Sequence, residues 1–233
     1  MKIRQTLPGE AITMEMTNNR PEVAVVGAAF MDLQVYPVNK TLLDTASYSA
    51  ERMVWSVGGD AINESTILTR MGHQARLISC MGDDMIGRMV LEHCGRNGID
   101  TSRIKQDPGK TTSINIGLIG EDAERTFITN RSGSIWTIRP EDIDITAIDG
   151  AKILSFASIF NTPCLEVDFM IRLFERAKQQ GMIICADVVA PKKGETLQDV
   201  AGALPYIDYF FPNLEEAALL TGLRKYVHDE KPA

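Results

Sequence analysis

Cysteine and histidine are scarce in this sequence, and neither is spaced for a metal site. The four cysteines, Cys80, Cys94, Cys164 and Cys185, include no C-x-x-C pair. This spacing argues against a zinc site and against a disulfide framework, and it favours buried thiols. The three histidines are dispersed as well, so we do not expect catalysis by a histidine-centred triad.

Long apolar segments and an excess of positive charge are also missing. The longest unbroken apolar stretch, Val23 to Met31, has nine residues, whereas a membrane-spanning helix needs about 20. The first ten residues lack the apolar core of a secretory signal. The net charge of −7 argues against binding to a nucleic-acid backbone. We therefore expect a cytoplasmic protein that does not cross a membrane and does not bind nucleic acid.

Two common glycine motifs for nucleotide phosphates are absent too. A dinucleotide-binding fold would have G-x-G-x-x-G after its first strand, but this chain has Gly27-Ala28-Ala29-Phe30 there. No G-x-x-x-x-G-K-[ST] sequence occurs either. The turn after the first strand therefore disfavours a nicotinamide-dependent enzyme, an alternative that a cofactor-binding test would revive.

The apolar pattern is typical of an α/β protein. Val23 to Gly27 is predicted to be a buried strand, and strands alternate with helices from residue 75 onward, which indicates a mainly parallel sheet. Segments at about 33–57 and 111–131 are rich in strand patterns and do not fit this alternation, so they predict a small inserted β subdomain. Residues 1–21 have no clear periodicity and are interpreted as a flexible extension.

Candidate ligand-binding residues follow the first predicted strand and surround a pair of glycines, Gly58 and Gly59. Asp32 follows the carboxyl end of Val23–Gly27, the edge where open α/β sheets bind ligands, and its carboxylate can accept hydrogen bonds from vicinal hydroxyls. Gly58 and Gly59 lead into a helix and let the backbone approach a ligand closely. Asn63, on the first turn of that helix, carries both a donor and an acceptor suited to a polyol. Taken singly, each residue also fits a purely structural role in a turn or a cap.

Further residues continue this spacing, and together they resemble the ribokinase-like (PfkB) carbohydrate kinase family. The first signature of that family is matched by Gly58, Gly59, Ala61, Asn63, Ser65, Gly72 and Gly82. Two further motifs of the family occur in the expected order, Gly27…Asp32 before this signature and Pro212-Asn213-Leu214-Glu215-Glu216…Gly222 after it. The resemblance implies a three-layer α/β/α sandwich with a small β-sheet lid over residues 22–233. It also implies ATP-dependent phosphorylation of a hydroxyl on a sugar or a ribose-containing nucleoside.

The resemblance also implies roles for individual residues of this sequence. Asp32, Gly58, Gly59 and Asn63 match positions that hold sugar hydroxyls, and Arg131 lies where some members have a basic residue facing the substrate. The resemblance implies that Asn213 and Glu216 organise Mg²⁺, water and the phosphates of ATP, with Glu216 acting on the metal through water. It places Asp187 beside the nucleotide cleft. The lid of the family often pairs with a second subunit, so a homodimer is expected.

The second signature of the family has no counterpart in these residues. It is a Thr-Gly-Ala-Gly-Asp run that supplies an anion hole and the catalytic base, and no Gly-Ala-Gly-Asp sequence occurs here. We therefore expect the C-terminal part of the fold to be truncated and the base to lie beyond Ala233. The 233 residues are then expected to bind sugar but to transfer phosphate poorly, since phosphoryl transfer depends on these groups. An alternative is a catalytically inactive relative that binds a sugar or regulates another protein.

Overall fold

Strands and helices alternate along residues 20–223, the part of the chain that the computed structural model describes. The strands are β1 (Val23–Gly27), β2 (Phe30–Tyr36), β3 (Arg52–Gly58), β4 (Ala75–Gly82), β5 (Asp100–Asp107), β6 (Ile114–Ile119), β7 (Arg125–Thr129), β8 (Ile153–Ile159), β9 (Ile183–Val188) and β10 (Tyr209–Phe210). The helices are α1 (Asp60–Arg70), α2 (Met85–Arg96), α3 (Ser134–Thr137), α4 (Val167–Gln179), α5 (Leu197–Val200) and α6 (Leu214–Thr221). The proposed extension at 1–21 falls almost wholly outside the described residues, as does the chain after Leu223.

Six strands form one parallel sheet in the order β10-β9-β8-β1-β4-β5. The predicted α/β class with a parallel sheet is confirmed. Strand β5 was not expected, because its sequence DTSRIKQD is polar and half-exposed and lacks an alternating apolar pattern. It forms because β4 offers it a paired edge, with a register shift between Arg76 and Ile78.

The parallel sheet is covered on both faces, which makes three layers. Along β1, Val23 and Val25 join the apolar cluster that includes Ile62 of α1 and Val90 of α2. The alternate residues of β1 contact the other cluster, which contains the apolar face of α4. Because side chains alternate across a strand, this one buried strand serves both cores.

A second sheet contains the remaining four strands in the order β3-β2-β6-β7. We call it the lid sheet. Only two residues separate β1 from β2, so Asp32, which follows the carboxyl end of β1, already lies inside the next strand rather than in a turn. Asp32 is the third residue of β2, opposite Ser56 of β3 and Asn115 of β6. The carboxylate is thereby carried by the lid sheet itself.

None of the helices among residues 20–223 is both long and apolar enough to cross a bilayer.

Candidate active site

The carboxylate of Asp32 is held in the lid sheet with one oxygen lacking a partner. Its Oδ1 is buried and has no hydrogen-bond partner among the described residues. Burial raises the pKa of Asp32 above its ordinary value, the nearby Asn115 amide opposes this, and the charge of Asp60 adds to it. A buried acceptor without a donor is costly, so this oxygen is suited to accept a hydrogen bond from a hydroxyl ligand.

The glycine pair leaves the space that Asp32 occupies. A Cβ on Gly58 would overlap the Asp32 carboxylate and approach the Phe30 ring to 2.6 Å. Gly59 has φ of 101°, a backbone conformation that favours glycine, and a Cβ there would overlap the carbonyl oxygen of Ala28. Both glycines are therefore required by close packing around Asp32 and the start of α1.

Asn63 lies on α1, which begins directly after the glycine pair. Its backbone N–H donates to the Gly59 carbonyl at 3.1 Å, and its side chain is exposed. The described residues give this side chain no hydrogen-bond partner. It remains available as a ligand group on the helix that carries Asp60 and Glu64.

A serine joins two carboxylates at the carboxyl ends of β8 and β9. The Ser158 hydroxyl lies 2.5 Å from Asp60 Oδ2 and 2.8 Å from Asp187 Oδ2. One hydroxyl has a single proton to donate, so both contacts are satisfied when one carboxyl is protonated and donates to Ser158 Oγ. Burial raises the pKa of Asp187 to about 6, and the charge of Asp60 contributes in the same direction. Asp187 is therefore partly protonated at a pH near 6, and in that form it can donate to Ser158 Oγ.

Glu64 extends the acidic cluster along α1. Its Oε2 accepts a hydrogen bond of 2.6 Å from the Ser155 hydroxyl on β8. Burial raises the pKa of Glu64 to about 7, with smaller contributions from Asp187 and Asp60. The described structure pairs no cation with it, so Glu64 is partly protonated at neutral pH.

Asn213 and Glu216 cap the start of α6. Asn213 Oδ1 accepts from the Glu216 backbone N–H, and Glu216 Oε2 accepts from the Asn213 backbone N–H, each at 2.9 Å. This capping box fixes both side chains and leaves Glu216 Oε1 without a hydrogen-bond partner among the described residues. The charge of Glu216 also helps raise the pKa of Asp187, so α6 begins close to the acidic cluster.

Arg131 lies beside an aromatic ring. Its guanidinium carbon is 5.5 Å from the centroid of the Trp136 ring, and Lys192 Nζ lies 5.2 Å from the same centroid. Lys192 donates to the carbonyl and the side-chain oxygen of Asn161, at 2.7 and 2.9 Å. The Trp136 ring therefore has two cations near it, Arg131 from shortly before it in the chain and Lys192 from well after it.

The structure brings together acidic residues that lie far apart in the sequence. The charge of Asp60 acts on both Asp32 and Asp187, and the charge of Glu216 acts on Asp187. Asp60 was missed although it lies between Gly59 and Asn63, because an acid at a helix start is usually only a cap. Ser158, Glu64 and Lys192 were missed because no local motif marks them.

These features define a class of protein. An open parallel sheet carries a cluster of acidic side chains at the carboxyl ends of its strands, and the lid sheet places Asp32 within the influence of the charge of Asp60. In open α/β sheets this edge is where ligands bind.

The chain belongs to the pfkB family of carbohydrate kinases, whose sequence pattern matches residues 20–232. It is similar to probable fructokinase-4 of Arabidopsis thaliana, with 27% identity over 181 residues that cover 74% of this chain and 55% of that protein. The chain spans about half the length of the curated relatives that it matches.

Two solved structures show the same fold. An Arabidopsis thaliana ribokinase complexed with ribose and ATP superposes with a TM-score of 0.71 at 20% identity, over 87% of this chain and 63% of that one. A Xylella fastidiosa fructokinase with bound ATP also gives 0.71, at 19% identity, over 88% of this chain and 65% of that one. At these identities the likeness establishes the fold alone.

Proposed function

We propose that the protein phosphorylates a hydroxyl of a sugar, or of a ribose-containing nucleoside, at the expense of ATP. The observation that carries the proposal is the buried, unpaired Oδ1 of Asp32 beside Gly58. The membership in a carbohydrate kinase family and the fructokinase relatives support it.

Asp32, Gly58, Gly59 and Asn63 form the proposed sugar site. Asp32 accepts hydrogen bonds from neighbouring hydroxyls, and the glycines let the ligand approach the backbone at the start of α1. Asn63 offers both a donor and an acceptor from an exposed position on α1. Because Asp32 belongs to the lid sheet, a sugar bound to it would be in contact with the lid from the first step of binding.

Glu216 and Asn213 fit a magnesium site reached through water. Mg²⁺ prefers oxygen ligands and usually keeps several of its waters, so the unpaired Glu216 Oε1 and the Asn213 amide are suitable groups. The carboxyl of Asp187 adds negative charge at the same edge of the sheet. When bound, ATP supplies the transferred phosphoryl group and Mg²⁺ neutralises charge on its phosphates. None of residues 20–223 is proposed as the base of the transfer.

The lid sheet also supports a homodimer. Its register places Trp55, Leu33, Ile116 and Ile128 in one row across the four strands, on the face opposite to Asp32. Trp55 is 46% exposed and Ile128 is 52% exposed. An apolar sheet face of this kind is suited to packing against a second copy.

Sugar binding is tested by calorimetry on the 233-residue chain with a panel of hexoses, pentoses and nucleosides. We expect Asp32→Ala to weaken the best ligand by about 1–3 kcal/mol, because a bound hydroxyl then loses its acceptor. Asp44→Ala, which alters an exposed carboxylate on the Lys40–Asp44 turn, should leave binding unchanged. Unchanged affinity in Asp32→Ala would contradict the assignment of the sugar site.

Phosphoryl transfer is tested separately, by ATP consumption with Mg²⁺ and the bound sugar. The 233-residue chain and the longest reading frame that contains it are compared. Turnover in the longer frame with little in the 233 residues is the expected result. Sugar binding without turnover in either would favour the alternative of an inactive sugar-binding relative.

A further inference from the structure

A cavity of about 770 Å³ lies at the outer end of the lid sheet. We call it the lid cavity. Its floor contains Leu118 of β6 and Thr126 and Ile128 of β7, which share one face of the sheet because Leu118 pairs with Thr126 and side chains alternate along β7. The chain between β2 and β3, including the Lys40–Asp44 turn, forms other walls. A volume of this size is typical of sites for small organic ligands.

The lid cavity and the carboxylate of Asp32 lie on opposite faces of the lid sheet. Val35 pairs with Leu118 of the cavity floor, and Asp32, an odd number of residues earlier in β2, faces the other side. Tyr36, the last residue of β2, is about 13 Å beyond Asp32 along an extended strand, and the cavity walls begin only after Tyr36. A ligand in the lid cavity is therefore additional to the proposed sugar.

Apolar side chains that line the lid cavity are left in contact with solvent. Leu43 is 91% exposed and Ile128 is 52% exposed. Val38, Leu42 and Tyr48 add apolar surface to the same walls and are only half-buried. Because removal of apolar surface from water is favourable, these walls are suited to the apolar part of a ligand.

The charged side chains that line the lid cavity are mostly acidic. Glu121, Asp122 and Glu124 come from the turn between β6 and β7, whereas Lys40 is the one basic residue among the described lining residues. None of these three carboxylates forms a salt bridge within residues 20–223. Arg125 is their neighbour in sequence, but it pairs with Ile119 and so faces the other side of the sheet. The cavity therefore favours a cation over an anion.

We propose that the lid cavity binds a small organic amine, with its apolar body against Leu43 and Ile128 and its ammonium beside Glu121 and Glu124. Asp122 supports this arrangement, because its Oδ1 accepts a hydrogen bond of 3.0 Å from the Glu124 backbone N–H and fixes the acidic turn.

Other occupants match only part of the lid cavity. A metal ion would leave the apolar walls exposed, and a fatty acid would bring its carboxylate among three others. A second copy of the chain would cover the apolar walls, but its net charge of −7 is a poor match for an acidic lining. An amine with an apolar body matches both the walls and the charge.

The test compares three probes that share one apolar body and differ in charge: phenethylamine, phenethyl alcohol and hydrocinnamate. Each is titrated into the 233-residue chain with isotope-labelled isoleucine and leucine methyl groups, and the NMR signals of Leu43, Leu118 and Ile128 report where it binds. An exposed charge pair changes affinity by up to about 5-fold. We expect phenethylamine to shift these signals and to bind about 5-fold more tightly than the alcohol, with hydrocinnamate weakest.

Variants then test whether the named side chains cause this preference. The double variant Glu121→Gln with Glu124→Gln should abolish the advantage of the amine over the alcohol, whereas Glu92→Gln, at an exposed glutamate of α2, should retain it. Leu43→Ser should weaken all three probes. Met85→Ser, at a methionine of α2 that is 66% exposed, is its matched control and should leave them unchanged. All of these side chains are exposed, so the variants should keep the fold, and the methyl spectra check this directly.

Three results would overturn the proposal. The first is equal affinity for the three probes, and the second is a set of shifts that spares Leu43, Leu118 and Ile128. The third is an amine that leaves these signals unchanged while Leu43→Ser converts a dimer into a monomer in light scattering, since a second copy would then be the occupant. Asp32→Ala should retain amine binding, so a failure of the proposed sugar site is distinguishable from a failure of the lid cavity.

Discussion

Replacing Glu64 by glutamine should stabilise the protein at alkaline pH and have little effect in acid. The carboxyl of Glu64 is partly buried next to Asp60 and Asp187, and its pKa rises from 4.5 to about 7. The folded state therefore holds a proton that the unfolded chain releases, so stability falls as the pH rises from about 4.5 through about 7. Glutamine keeps an acceptor for the Ser155 hydroxyl and removes the charge.

The size of the effect follows from the two proton affinities. A change of pKa from 4.5 to about 7 corresponds to about 3 kcal/mol, at about 1.4 kcal/mol for each tenfold change in proton affinity. With these two pKa values, Glu64 lowers the unfolding free energy of the wild type by about 1 kcal/mol at pH 5 and by about 3 kcal/mol at pH 8. Glu64→Gln should remove this penalty, so its stabilising effect should grow by about 2 kcal/mol across that range.

Urea unfolding of wild type and Glu64→Gln at pH 5, 6, 7 and 8 measures the difference in unfolding free energy. Glu92→Gln is the matched control, because Glu92 is an exposed helical glutamate whose contact with Arg96 is 3.9 Å long. That contact contributes less than about 0.5 kcal/mol and should not vary over this pH range. A stability difference for Glu64→Gln that is the same at pH 5 and pH 8 would refute the reasoning.

The packing, capping and assembly of the site give three further predictions. Gly58→Ala should abolish sugar binding and lower the unfolding free energy by about 1–3 kcal/mol, because the new Cβ would overlap the Asp32 carboxylate. Gly95→Ala is the control: its Cβ would meet nothing within 4 Å, so it should be neutral or stabilising in thermal unfolding. Asn213→Ala should cost about 1 kcal/mol in thermal unfolding through loss of the helix cap, and Asn213→Asp should restore it; equal melting of all three proteins would argue against the capping role. Trp55→Ser should convert a dimer into a monomer of 25.7 kDa in light scattering, whereas a change to serine at Phe127, on the opposite face of the lid sheet, should not; a wild-type monomer at tens of micromolar would contradict the dimer.

Local sequence patterns predicted the elements whose structure is determined by residues adjacent in the sequence. The run Val23–Gly27 is short, apolar and β-branched, and it forms the central strand β1. The resemblance singled out Asn213 and Glu216, and the structure shows that they form a reciprocal cap because both lie within the first turn of α6. The glycine pair was predicted to lead into a helix, and α1 begins directly after it, with Gly59 in a backbone conformation that other residues rarely adopt.

The polar strand β5 and the serine that lies between two carboxylates could not be predicted in this way. Strand β5 is fixed by pairing with β4 rather than by its own composition. Ser158 contacts Asp60 across 98 residues of sequence, and nothing near residue 158 indicates a site. Asp32 was recognised, but its position inside β2 depends on pairing with β3 and β6, which the local pattern did not show.

The acidic cluster links the two ends of the proposed site through one residue. Asp187 interacts with Asp60 on the sugar side and with Glu216 on the magnesium side, and its pKa of about 6 responds to both. A divalent cation near Glu216 would favour the charged form of Asp187, because it offsets the repulsion that keeps the proton there. Asp187 would then be ionised at lower pH, and the single proton of the Ser158 hydroxyl could be donated to only one of Asp60 and Asp187 at a time. Binding at the metal end can therefore alter hydrogen bonding at the sugar end without any movement of the backbone.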